Sequence, residues 1–374
     1  MLIEQMARQN SLGDIFDKVI YQERLSFDDG VRLYEHPNLP LVGALANIVR
    51  ERLNGNKAYF NRNLHINYTN ICNKFCKFCA FQRTPNQAGA YAMSLDDVRR
   101  RVQNTLEFYI SEVHMVAGIN PKLDYQYYLD LLRTVKSVRP DIHIKAFTMV
   151  ELVEICRLAK KPIEAVLEDL KNAGLDSCPG GGVEVLSDRV HQEIFPNKIG
   201  PDEWLSLAKS VHKAGLPTNA TMLYGHIETT QERVQHFIRL REVQDETHGF
   251  VTFIPLAFHP DNTEMNHLPG TTGEQDLRNI ALARLMLDNF PHIKAFWIMI
   301  TPPVAQVSLW YGADDMDGTV IEEKITHDAG ATTPQGLTRE ELIYLIRQAG
   351  RDPVERDTKY NVIADTEELL AVAV

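Results

Sequence analysis

From about residue 60 onward, short apolar runs alternate with longer stretches whose apolar positions recur at helical spacing. The runs predict strands at Leu64–Tyr68, Glu112–Ala117, His143–Phe147, Leu175–Cys178, Pro217–Leu223, Phe250–Pro255, Lys294–Met299 and Val304–Leu309. Between most of them the pattern predicts helices. Asp96–Ile110 carries Val98, Val102, Leu106 and Tyr109, and Tyr125–Val138 carries Tyr128, Leu131, Leu132 and Val135. Pro162–Ala173 and Pro201–Ala214 each open on proline and close before glycine, at Gly174 and Gly215. Thr230–Glu242 and Glu274–Asn289 complete the set. The last two strands stand too close together for a full helix between them.

Strands alternating with helices predict βα units on a parallel sheet. Eight such strands point to an α/β fold, a TIM-type (β/α)8 barrel, which needs roughly 200 to 250 residues. The expected organisation is a helical N-terminal extension over 1–55, the barrel over 56–325, and a C-terminal extension over 326–374 packing on it. The last piece reads as helical, since Thr338 with Glu340 and Glu341 marks a capped helix over 338–351. In such barrels the chemistry sits at the C-terminal ends of the strands.

Composition narrows the function. The 374 residues carry a net charge of −11, and the pI is near 5.6. That argues against non-specific nucleic-acid binding and against a polybasic membrane anchor. No apolar run approaches the ~18 residues needed to span a bilayer, and the N-terminus shows no secretory pattern. Five cysteines, three of them clustered, make poor material for a disulfide framework and suit a reducing cytoplasm.

The cluster is Cys72-Asn-Lys-Phe-Cys76-Lys-Phe-Cys79, just beyond the first predicted strand. Three thiolates cannot complete the four-thiolate shell of an iron–sulfur cluster. A [4Fe–4S] cube held this way keeps one iron open for chemistry. A structural zinc site is the alternative, but zinc usually takes paired knuckles from two places, and no second pair exists. Cys156 and Cys178 read as core residues. Other strand ends carry polar groups: His226 after the fifth, His259 after the sixth, and Asp314 in the turn-rich segment after the last. Each histidine could titrate near neutrality or hold a carboxylate, or be a satisfied histidine at a strand end; an ordinary turn also explains Asp314.

The C-x3-C-x-aromatic-C motif after a first barrel strand resembles the radical S-adenosylmethionine (SAM) superfamily. The resemblance implies that Cys72, Cys76 and Cys79 ligate a [4Fe–4S] cluster whose free iron chelates SAM. It implies an adenine-side role for Phe78 and a backbone contact to the methionyl amine at Gly118. It further implies that Gly181 and Gly182, in Pro179-Gly-Gly-Gly-Val-Glu184, allow close approach, so that Glu184 can accept from SAM. Arg189 would pair with an acid or a carboxylate, with a surface salt bridge as the equal alternative.

Further segments resemble the menaquinone and deazaflavin branch: Asn67–Cys72, Cys79–Phe81, His114–Pro121, Lys145–Thr148 and Pro353–Asp357. Ala329–Gly336, running into Arg339, is most similar to the aminofutalosine synthase family. That resemblance implies addition of the 5′-deoxyadenosyl radical to 3-[(1-carboxyvinyl)oxy]benzoate, a carboxylated aryl enol ether, giving 6-amino-6-deoxyfutalosine. An electron donor such as flavodoxin or ferredoxin is implied as partner. The alternatives are a cyclic dehypoxanthine futalosine synthase, a deazaflavin-type enzyme using tyrosine, and a non-catalytic Fe–S or zinc protein. His226, His259 and Asp314 are the candidates for the substrate.

Overall fold

In the computed structural model, which describes residues 2–371, the chain before residue 55 is helical: Leu2–Gln9, Gly13–Tyr21, Phe27–Glu35 and Leu39–Asn54. Ser26 starts the third of these through a capping box with Asp29, and the Asn38 side chain accepts the Leu41 N–H to start the fourth.

The strands that follow are β1 (Lys57–Asn61), β2 (Asn63–Ile66), β3 (Glu112–Met115), β4 (His143–Ala146), β5 (Thr218–Tyr224), β6 (Phe250–Ala257), β7 (His292–Ile293) and β8 (Asp315–Gly318). All pair parallel: β2 with β3 with β4, β5 with β6 with β7, and β1 with β8. Single parallel bridges link these groups. Lys145 to Ser177 and Cys178 to Thr218 join β4 to β5 through Leu175–Cys178, which forms these two isolated bridges and not the predicted strand; Lys294 to Asp315 joins β7 to β8; Leu64 to Ile321 joins the chain after β8 to β2. Helices cover the sheets, so strands such as β2 and β5 are buried at every position. The fold is mixed α/β.

Most predicted helices form. Pro162 caps Ile163–Ala173 rather than opening it, and Gly174 ends it at φ +116°, a left-handed angle that glycine adopts without strain. The run Asp96–Ile110 is helical only over Leu95–Gln103. A further helix, Met149–Ala159, carries too many apolar residues to show a polar face in sequence.

Three expectations are corrected. Lys294–Met299 is not a strand: β7 ends at Ile293, and the apolar run curls into the short helix Trp297–Ile300. Val304–Leu309 is helical too: Val304–Ser308 lies in the helix Pro302–Ser308, started by prolines at its N-terminus, and Leu309 is its C-cap. The last strand of the set is β8, whose Asp315-Met-Asp-Gly reads as a turn because its acids are spent on buried ion pairs. The C-terminal extension is also not purely helical. After the capped helix Arg339–Gln348 come β9 (Asp352–Arg356), parallel to β1, and β10 (Val362–Ala364), antiparallel to β9.

Candidate active site

The cysteine loop leaves β2 and has its backbone tied to four other segments. Cys72 N–H donates to Arg83 O (3.1 Å), Asn73 N–H to Ile119 O (3.1 Å) and Lys77 N–H to Ile194 O (2.9 Å), while Glu264 N–H donates to Lys77 O (3.0 Å). A loop so anchored holds its side chains in place. Cys72, Cys76 and Cys79 all line one cavity of about 330 Å³. Cys76 is buried, and burial pushes its thiol up to about 12, with the nearby Lys198 ammonium opposing.

Opposite the thiols lies the turn Gly180–Glu184. A Cβ on Gly180 would come within 2.2 Å of Asn219 O, so only glycine lets this turn lie against β5. Gly182 adopts φ +91°, and Glu184 is held at φ +50°, a backbone that non-glycine residues rarely take. Its carboxylate, nearly buried, accepts from Lys198. Burial disfavours the Lys198 charge, but Cys76 and Glu184 outweigh it and the ammonium is held above its usual range. Its Nζ sits 5.0 Å from the Phe78 ring centroid and 5.6 Å from that of Phe195.

The deeper end of the cavity is polar. His65, His114 and Lys145 stand in register across β2, β3 and β4. The two imidazoles stack at 4.7 Å, and burial, aided by His114, holds His65 neutral with its pKa lowered to about 3. Lys145 pairs with Glu112 at 2.8 Å, and Lys294 with Asp317 at 2.8 Å, all buried. Ile254, Leu256 and Phe296 supply apolar lining to the same cavity.

The chain matches the family model of the Radical SAM superfamily over residues 66–240, and that of the CofH/MqnC C-terminal region over 247–369. It is 48% identical to an aminodeoxyfutalosine synthase of Thermus thermophilus over 95% of this chain and 97% of the relative. A second aminodeoxyfutalosine synthase, from Streptomyces coelicolor, is 41% identical over 95% of this chain and 94% of the relative. The chain belongs to the aminodeoxyfutalosine synthase family of radical SAM enzymes. Its fold is also that of methylornithine synthase, with a TM-score of 0.70 at 16% identity, covering 96% of this chain and 99% of that one.

Radical SAM enzymes use a [4Fe–4S] cluster and SAM. The residues present fit both. The donor set is all thiol on one anchored loop. Asn67, another cavity residue, donates from Nδ2 to Val116 O (2.8 Å), while its buried Oδ1 has no partner among the described residues, an acceptor available to a ligand donor.

Among the residues expected at a radical SAM site from sequence, Phe78, Gly118, Gly181, Gly182, Glu184, His259 and the cysteines line the cavity. Three others do not. His226 turns back on its own loop: Nε2 donates to Leu223 O (3.0 Å), and Nδ1 lies 2.7 Å from Ile227 N and 2.9 Å from Glu228 Oε2. Arg189 is half exposed and binds Glu232 (2.6 Å) and Ile227 O (2.8 Å) on the outside. Asp314 is fully buried just before β8, held by Arg284 and His292 at 2.5 Å each. His259 itself donates from Nε2 to Met299 O at 2.9 Å. Sequence reasoning missed Lys198 and the set Glu112, Lys145, Lys294 and Asp317. The signal for part of it was polar residues at alternate positions of otherwise apolar strands, as in Asn63, His65 and Asn67.

Proposed function

We propose that this chain is a radical SAM aminofutalosine synthase. It joins the adenosyl part of SAM to 3-[(1-carboxyvinyl)oxy]benzoate, with loss of the carboxyl carbon, to give 6-amino-6-deoxyfutalosine in menaquinone biosynthesis. The observation that carries this reading is the near full-length similarity to two aminodeoxyfutalosine synthases, together with three thiols opening on one cavity. When bound, the cluster supplies the electron that cleaves SAM to the 5′-deoxyadenosyl radical. We assign Cys72, Cys76 and Cys79 as cluster ligands, and Phe78, Gly118, Gly181, Gly182 and Glu184 to the SAM wall. The protein's own task is then to hold SAM and substrate in one dry pocket and fix their approach.

The strand pairings support a closed TIM-type (β/α)8 barrel over about 56–325, carrying the flanking segments 1–55 and 326–374. We further propose a cytoplasmic protein reduced by a one-electron donor such as flavodoxin or ferredoxin, working without nucleic acid or membrane. The acidic charge and five free cysteines support this, and among the described residues no helix is long and apolar enough to cross a membrane.

The test is anaerobic reconstitution with dithionite, SAM and the enol ether, followed by product mass analysis. Incorporation of the adenosyl group is expected; release of 5′-deoxyadenosine alone, or consumption of tyrosine, points to a sister reaction instead. Cys76→Ala is expected to abolish both the cluster's visible absorbance and turnover, and full activity in that variant removes the cluster assignment.

A further inference from the structure

Buried ammonium groups are rare, and this cavity has two at its deep end with donors to spare. Lys145 and Lys294 are each at most 4% exposed. Each spends an N–H on one acid, Glu112 or Asp317, at 2.8 Å. Among the described residues neither ammonium makes a hydrogen bond to protein beyond its own acid. Both lysines line the cavity, beside the stacked His65 and His114. The acids are already engaged: Glu112 accepts the Thr358 hydroxyl at 2.7 Å as well as Lys145. Unspent cationic donors on buried side chains favour an anionic acceptor from a ligand.

We infer that Lys145 and Lys294 receive the ring carboxylate of the aryl substrate, so that the arene lies between the apolar walls and the enol ether carbon faces the thiol end. This rests on the proposed function. Reach decides which carboxylate goes deep. The attacked vinyl carbon must lie beside SAM at the mouth, and the enol carboxylate is bonded to its neighbour. The ring carboxylate is the farther of the two and alone extends to the floor. Ile254, Leu256 and Phe296 line the same cavity and offer an aromatic ring apolar surface. The same floor would select against a ring bearing no acid.

The test is anaerobic calorimetry on reconstituted enzyme with SAM and no reductant, using three ligands: the substrate, its phenyl analogue without the ring carboxylate, and the para-carboxylate isomer. Wild type is expected to bind the substrate about 100-fold tighter than the phenyl analogue and more than about 10-fold tighter than the para isomer. Lys145→Met/Glu112→Gln and Lys294→Met/Asp317→Asn each remove a charge pair together, which avoids a lone buried acid. Each is expected to cut the preference to below about 10-fold while cluster absorbance and SAM affinity persist. Preference retained in both double variants overturns the inference and leaves the proposed function standing. Wild type that binds no dianion overturns both. Should the variants fail to fold, the wild type decides: a loss under about 3-fold on removing the ring carboxylate overturns the floor assignment.

Discussion

At the residue scale the site separates groups that face the cavity from groups that only resemble site residues in sequence. Lys198 is the clearest gain. Its ammonium balances Glu184 and the Cys76 and Cys79 thiols from inside the pocket. Lys198→Met is therefore expected to weaken SAM binding by about 10-fold, the worth of a charge-assisted hydrogen bond, read by anaerobic titration of the cluster spectrum. Arg189→Ala touches only an outer ion pair with Glu232. Its turnover should stay within about 2-fold of wild type, because surface pairs contribute little; a larger loss would return Arg189 to the site. The cysteines and glycines were legible in sequence because their chemistry and backbone needs are local. Lys198 was not, because its meaning comes from Glu184 and Cys76 meeting it across the fold.

At the scale of elements, legibility followed packing. The strands with apolar runs, such as β3, β4, β5 and β6, were readable because burial on both sides forces an apolar sequence. β8 was not: Asp315 and Asp317 are strand residues whose charges are met by Arg356 and Lys294, a partnership invisible in one dimension. The run Lys294–Met299 misled for the converse reason, since Trp297 packs into the core from a helical turn and donates to Gly318 O at 2.9 Å. Helix starts were the most reliable signals. Thr338 forms the capping box with Glu341 that its spacing predicts. Thr338→Ala should destabilise the protein by about 1 kcal/mol, measured as a lower denaturation midpoint, with the SAM affinity unchanged.

At the scale of the whole molecule, buried charge ties the fold to pH. Burial pushes the Glu228 carboxyl up, but the His226 ring, the Arg233 guanidinium and the Gly225 N–H outweigh it and hold it at about 2. A carboxyl depressed by folding adds stability above its unfolded pKa of about 4.3, and that stability is lost as pH falls through the folded value. Glu228→Gln should thus flatten the dependence of the unfolding midpoint on pH between about 4.3 and 2, as a series of acid denaturation curves would show. A slope equal to that of wild type would place the acid sensitivity elsewhere.

The far end of the chain reaches back to the reactive chamber. β9 zips onto β1, and Thr358 touches the acid that holds Lys145. A nascent polypeptide therefore cannot finish its floor until residue 358 has cleared the ribosomal tunnel, some three hundred residues after β1 was made.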